Sequence, residues 1–300
     1  MVTTSEARVE AEFEELADKR PYWAVARDFV RKQPLGSAGL AIVGIMIIAA
    51  IFAPVLTPYD PEANSFEHML TAPNFDFLLG TDQFGRDLLS RIIYGARTAL
   101  FVGFTAAFVG ATLGLILGVA SAFFGGKFDL IFQRIMDILM AFPLIILALA
   151  VVAIFGTGVQ NVIIAITIPF VPRCARVVRS SALAIREIPY IDAARANGFS
   201  NTRIIMRHMV PNVMAPYLIM ITAFVGQAIL LEASLSYLGL GVQEPTPAWG
   251  LMLQGGAEEY AESAPWVAIW PGVAISLAVF GFNLFGDAVR DTLDPKLRSQ

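Results

Sequence analysis

Residues 144–172 read LIILALAVVAIFGTGVQNVIIAITIPFVP, two apolar runs on either side of the turn-forming group Gly156, Thr157, Gly158, Gln160 and Asn161. The charge-free gap that holds them extends from Ile138 to Pro172. One long helix would cross a bilayer once, whereas two short helices folded at Gly156 return the chain to the side it left. The charges downstream decide between them. Arg173, Arg176, Arg179, Arg186, Arg195, Arg203 and Arg207 come next, and short cytoplasmic loops collect Lys and Arg. Arg8, Lys19, Arg20, Arg27, Arg31 and Lys32 crowd the N-terminal segment, and only the two-helix reading puts both basic stretches on one side.

Working outward, four more gaps between charges are long enough for a span, which needs roughly 20 apolar residues. They run from Gln33 to Tyr59, Thr98 to Gly126, Met209 to Leu231 and Ser263 to Gly286. The sequence therefore predicts an all-α integral membrane protein of about six transmembrane helices, near 36–57, 98–123, 136–156, 159–180, 212–235 and 265–288. Residues 1–34 form a cytoplasmic N-terminal segment, and the membrane domain occupies 35–300. Both termini then lie inside, and 18 of the 21 basic residues fall on that side. The composition agrees, since 56% of the 300 residues are hydrophobic and 15% charged, against roughly 25% charged in a soluble domain. A net charge of −4 with no basic excess argues against nucleic acid as a partner. Cys174 is the one cysteine, so an internal disulfide is excluded, and its ordinary reading is a small packing residue. The first thirty-odd residues are densely charged, which predicts an uncleaved first span rather than a signal peptide.

Small residues recur every four positions in the second span, at Ala106, Gly110, Gly114, Gly118 and Ala122. Such a stripe lets another helix approach closely where lipid supplies no hydrophobic drive, either within the chain or in a second subunit. After Gly125 and Gly126, the polar residues Asp129, Gln133 and Asp137 recur at spacing four among apolar neighbours, which predicts an amphipathic helix at the inner surface. Pro143, Pro169 and Pro172 should bend the third and fourth spans.

The cytoplasmic segment 182–211 carries the sharpest local signals. Residues 185–198 read IREIPYIDAARANG and residues 199–211 read FSNTRIIMRHMVP. Pro189 suits a first helical turn, the alanines favour helix, and Gly198 suits the left-handed position past a helix end. Ser200 or Asn201 can cap a second short helix that stops before Pro211. Ala193 and Ala194, read as exposed, make a low-relief knob with Asp192 and Arg195 at its rim.

Asp192-Ala193-Ala194, Gly198 six positions after Asp192 and Pro211 thirteen further on resemble the cytoplasmic signature of ATP-binding-cassette importer permeases. Most members begin it with Glu, where Asp192 stands here, and His208 and Val210 replace an Ile and a Leu. Residues 79–91 (LGTDQFGRDLLSR), 232–241 (EASLSYLGLG) and 282–298 (FNLFGDAVRDTLDPKLR) narrow the resemblance to the second, C-type permease of the dipeptide, oligopeptide and nickel importers. It covers roughly Asp28 to Arg298. The resemblance implies a type I importer permease fold that pairs with a second homologous permease, two cytoplasmic ATP-binding subunits and an extracytoplasmic substrate-binding protein. Asp192, Ala193, Ala194, Arg195 and Gly198 would form the ATPase-coupling helix. Gly80, Thr81, Asp82, Gly85, Arg86, Asp87 and Arg91 form an outer-side signature that could seat the binding protein, close an outer gate or stabilise its own loop. Glu232 either faces the path or caps loop structure. The implied setting is a bacterial or archaeal inner membrane, with peptides as the most frequent cargo and nickel or other small solutes as alternatives.

The sequence contains no Gly-x-x-x-x-Gly-Lys-Ser/Thr, so ATP and Mg belong to partner subunits and no cofactor is expected on this chain. No H-E-x-x-H or G-x-S-x-G occurs, so no catalytic residue and no metal ligand is expected. An ion-coupled secondary transporter is the competing class, and it would place ionisable residues at mid-membrane, where none of the six spans has one.

Overall fold

The computed structural model describes residues 27 and 29–293. The acidic N-terminal stretch and residues 294–298 of the C-terminal motif lie outside them. The helices are α1 (Pro34–Ile51), α2 (Leu88–Phe124), α3 (Gly126–Met140), α4 (Leu144–Phe155), α5 (Val159–Arg186), α6 (Pro189–Ala196), α7 (Asn201–Tyr237), α8 (Trp249–Glu259) and α9 (Trp266–Leu293). Five are long and apolar enough to span a membrane, and the bent pair α3 and α4 supplies a sixth crossing.

The order of contacts along the helices fixes their directions. Gly110, Gly114 and Gly118 of α2 meet Phe170, Cys174 and Ala175 of α5 in the same order, so these two helices run parallel. The chain must therefore cross back between them, and it does so through α4. Gly103 meets Ile229 and Thr112 bonds to Tyr217, so α7 runs antiparallel to α2. Gly226 meets Phe282 and Gly286 meets Thr222, which sets α9 antiparallel to α7. Gly36 against Ala288 and Gly39 against Gly281 set α1 antiparallel to α9. With α4 taken as the return between α2 and α5, these contacts make the crossings alternate in direction along the chain.

The small-residue stripe of α2 lies against α5 within the same chain. A Cβ at Gly114 would sit 2.6 Å from Cys174 Cβ and 2.9 Å from the Ala175 nitrogen, where carbon atoms normally keep about 3.5–4.0 Å. The Phe170 and Phe224 rings stack at 4.2 Å where α5 meets α7. Large apolar side chains such as Ile45, Ile48, Phe101, Phe108, Ile116, Leu277 and Phe280 point outward, as a bilayer solvent requires.

Several expected boundaries differ. The third span does not run straight over 136–156, because α3 and α4 meet at 92° and Pro143, which cannot donate a helix bond, opens α4. Residues 136–140 belong to the amphipathic α3. Its carboxylates meet arginines of α5, Asp129 with the partly buried Arg179 (2.5 and 2.6 Å) and Asp137 with Arg176 in an exposed pair (2.5 Å), while Phe128, Leu130, Ile131, Ile135 and Ile138 face out. The helix after Ser200 does not stop before Pro211. It continues into the fifth crossing through a widened turn at Ile205–Met209 and a tightened one at Val210–Val213, which absorb the missing proline donor. At 37 residues α2 is about 55 Å long, so its first turns, with Arg91 and Arg97, project beyond a hydrocarbon core of about 30 Å.

Candidate functional site

Two clusters of the expected residues stand at opposite ends of the bundle. The first surrounds the start of α2. Asp82 folds its own loop around itself, its Oδ1 accepting from the backbone N–H of Phe84 (2.9 Å) and Arg86 (3.0 Å), its Oδ2 from Arg86 Nε (2.7 Å). Gly80 and Gly85 hold positive φ at the two bends of this loop. Arg86 then reaches Glu244 through two parallel bonds, Nη1 to Oε2 at 2.6 Å and Nη2 to Oε1 at 3.1 Å. Arg91, wholly buried, donates to the Pro61 carbonyl at 2.9 Å and lies 3.6 Å from Asp82 and 3.5 Å from Glu244. Asp87 caps α2, its Oδ2 accepting from the Ser90 N–H at 2.8 Å. Thr81 donates to the His68 carbonyl, and its own carbonyl accepts from Trp266 Nε1 at 3.3 Å.

These residues therefore pair with one another. Thr81, Asp82, Arg86, Asp87 and Arg91 are all buried, so the cluster laces the entry of α2 to the loop before α8 and to the start of α9. Burial works against the Glu244 carboxylate, but the bond and charge of Arg86 and the charge of Arg91 outweigh it and hold its pKa below the ordinary carboxylate value. Burial likewise opposes the Arg86 cation, and Glu244 and Asp82 together more than reverse it. Sequence reading left Glu244 out of the cluster, since its partner lies 158 residues away. A faint signal existed in the Pro245 and Pro247 pair beside it, which stiffens that loop. Glu232 is buried, accepts from Ser236 Oγ at 2.7 Å, and that hydroxyl in turn accepts from the Val242 N–H at 3.1 Å. It holds the turn after α7.

The second cluster is α6 with its surroundings. Pro189 occupies its first turn and Gly198 lies just past its end at φ +73°, where the Phe199 N–H closes back on the Ala194 carbonyl at 3.1 Å. Asp192 and Ala193 are exposed, and Arg195 pairs with Asp192 at 3.0 Å. Ala194 is not part of the exposed knob. It is 6% exposed and, with Ile191 three positions earlier, forms the face packed on the rest of the chain. The Arg195 guanidinium lies 5.7 Å from the ring of Phe123 at the end of α2. Tyr190 Oη donates to the His208 carbonyl at 3.3 Å, and Asn212 Nδ2 donates to the same carbonyl at 2.6 Å. The His208 ring stacks on Phe199, placing that substitution at the widened turn of α7 rather than in a loop.

The chain is thus a bundle of five long apolar helices and one bent pair, with a short, partly exposed helix between α5 and α7. Residues 110–299 match the family described as the binding-protein-dependent transport system inner membrane component, and residues 21–73 match the N-terminal membrane domain of oligopeptide transport permease C. The chain belongs to this family of importer permeases. A putative peptide transport system permease of Brucella suis is 44% identical over 280 residues, 93% of this chain and 94% of that one. The dipeptide transport system permease of Alkalihalophilus pseudofirmus is 44% identical over 277 residues, 92% and 91% of the two chains. A glutathione transport system permease of Pectobacterium atrosepticum is 41% identical over 282 residues, 93% and 92%. A chain in an inward-facing structure of the MetNI methionine ABC transporter shares the fold at TM-score 0.55 and 22% identity, over 69% of this chain and 98% of that one. The chain is thus a membrane-spanning permease subunit of an ABC importer, a class that works with ATPase and substrate-binding partners.

Proposed function

We propose that this chain lines half of a translocation path for di- or oligopeptides. It pairs with a second homologous permease, two cytoplasmic ATP-binding subunits carry ATP and Mg, and an extracytoplasmic binding protein delivers the cargo. The arginine-rich end with α6 faces the cytoplasm, both termini included, and the Arg86–Glu244 cluster faces outward. This chain performs no catalysis and carries no cofactor of its own. Asp192, Ala193 and Arg195 dock in a groove of an ATPase subunit, while Ala194 and Gly198 fix the angle at which they are presented. The observation that carries this reading is α6 itself, an exposed helix packed on the chain through Ile191 and Ala194, with Arg195 over Phe123 of α2 and Tyr190 bonded to the His208 carbonyl of α7. Two-state coupling requires such an element, because a partner shifts a conformational equilibrium only through contacts that differ between states. The peptide cargo is supported by the names of the relatives at 44% identity.

The test is co-purification of the tagged chain from its native membrane, with mass spectrometry of the retained proteins and an ATPase assay on the eluate. A second permease, ATPases and a peptide-loaded binding protein are expected. Hydrolysis by the purified chain alone, or a chain that holds no ATPase, would overturn the assignment and favour an ion-coupled transporter.

A further inference from the structure

Between α1 and α2 the loop of residues 58–85 encloses a second feature that the functional reading leaves unused. A cavity of about 330 Å³ is lined by Tyr59, Asp60, His68, Asp76, Phe77 and Asp87, among others. Three of these are carboxylates, and no Lys or Arg occurs anywhere from residue 33 to residue 85. No ion pair reaches Asp60, Asp76 or Asp87 among the described residues. Asp87 is 3% exposed, and while its Oδ2 caps α2, its Oδ1 has no hydrogen-bond partner. A buried carboxylate oxygen left so is costly until a donor arrives.

The walls suit a cation as well as the carboxylates do. The Tyr59 and Phe77 rings lie 5.1 Å apart and His68 packs 5.2 Å from Phe77, a continuous aromatic surface against which an ammonium or guanidinium is attracted. The cavity is also preformed. Asn74 Oδ1 accepts from the N–H groups of Asp76 (2.8 Å) and Phe77 (2.9 Å), and Tyr59 Oη donates to the Asp76 carbonyl at 3.2 Å. That turn leaves Phe75 fully exposed beside the opening, together with Phe66 and Leu78. A rigid acidic recess with an apolar rim matches the centre and rim of a protein interface for a basic partner.

We infer that this cavity receives a lysine or arginine side chain of the extracytoplasmic binding protein, with Phe75 at the rim of the contact. The inference rests on the proposed orientation, which faces this loop outward. Its carboxylates would repel anionic lipid, and the one partner class that the family requires on this face is the binding protein.

The importer assembled from the full chain and its partner subunits in nanodiscs is titrated with its binding protein, as wild type and with Asp60→Asn and Asp76→Asn combined. Both carboxylates are exposed, so the buried cluster is untouched, and an unchanged thermal midpoint verifies that. The expected result is a Kd raised about tenfold or more at low salt, with a flatter salt dependence of association. Equal Kd values for the two assemblies overturn the inference. In a second arm, arginine amide is added without the binding protein. Saturable binding lost in the double variant, with the binding protein's Kd unchanged, would assign the cavity to a cationic cargo and also overturn it. If the wild-type assembly captures no binding protein at all, the functional reading itself fails, and this inference with it.

Discussion

Replacing Gly114 by alanine adds a single methyl group to the close crossing of α2 and α5. The new Cβ would lie 2.6 Å from Cys174 Cβ, 2.9 Å from the Ala175 nitrogen and 2.9 Å from the Val171 carbonyl oxygen. Two of those three atoms are backbone and cannot rotate away, so α2 and α5 must separate by about 1 Å to restore ordinary carbon contact near 3.5 Å. Overpacking of this kind costs about 1–3 kcal/mol, a factor of roughly 5 to 150 in the folding equilibrium. Gly44 of α1 provides the control, because a Cβ there meets nothing within 4 Å. Alanine at that position should be neutral or gain up to about 1 kcal/mol from helix propensity. Reversible unfolding of the purified chain in mixed micelles, followed by far-UV circular dichroism, measures both variants. A Gly114→Ala variant as stable as wild type, or equal losses for the two substitutions, would refute the assignment of this stripe to the α2–α5 contact.

Glu244→Gln leaves the buried Arg86 and Arg91 with Asp82 as their only carboxylate; breaking a buried pair costs about 3–5 kcal/mol, and the 41% exposure of the Glu244 side chain reduces that to about 1–2. Because the folded-state pKa of Glu244 is depressed, its contribution is complete above its ordinary value of 4.5 and disappears as pH falls through the lower folded value. Wild-type and variant unfolding curves should therefore converge in acid and stay apart at neutral pH. The raised pKa of Arg86 keeps its charge throughout the acid range and adds nothing to that acid loss. Gly198→Ala meets no atom within 4 Å but must hold φ +73°, costing about 1–2 kcal/mol of local strain; uptake per ATP hydrolysed, measured in proteoliposomes, should fall while membrane insertion is unchanged. Arg179→Ala removes both bonds to Asp129, worth about 1.5–3 kcal/mol for a charged pair, and hydrogen exchange should rise selectively over residues 126–140.

Local chemistry was legible in the sequence wherever a residue acts on its own backbone. Pro189 and Gly198 bound α6, Asp129 and Asp137 mark one face of α3, and the four-residue period of Gly110, Gly114 and Gly118 marks a contact face, because each depends on spacing alone. What depends on distant partners was not legible. Ala194 and its neighbour Ala193 have the same chemistry, yet only the fold turns one inward and leaves the other exposed. Pro245 and Pro247 marked the Glu244 loop as stiff, but nothing local named its two arginines more than 150 residues away. Pro143 signalled a break but not its 92° angle, nor that Asp129 and Asp137 of α3 pair with Arg179 and Arg176 of a helix later in the chain.

The two clusters are not independent, because α7 is one body. It begins at Ser200, whose hydroxyl caps it, two residues past Gly198, and it ends at Tyr237, within the turn that Glu232 and Ser236 hold. Seven residues beyond that end, Glu244 grips Arg86 and Arg91 at the entry of α2. A helix of 37 residues is about 55 Å long, and its regular geometry is interrupted at the widened and tightened turns from Ile205 to Val213. Those turns sit beside α6, where Tyr190 and Asn212 both bond to the His208 carbonyl. On the proposed docking, a displacement of α6 would act next to these turns of α7, whose far end carries the Glu244 loop. Arg91 is buried and can neither rotate into solvent nor lose its pairing without a large penalty. Of the outer cluster's pairings, Arg86–Glu244 is the one that water reaches, through the 41% exposed Glu244 side chain, and if the proposed coupling holds, α7 joins it to the end of the bundle that carries α6.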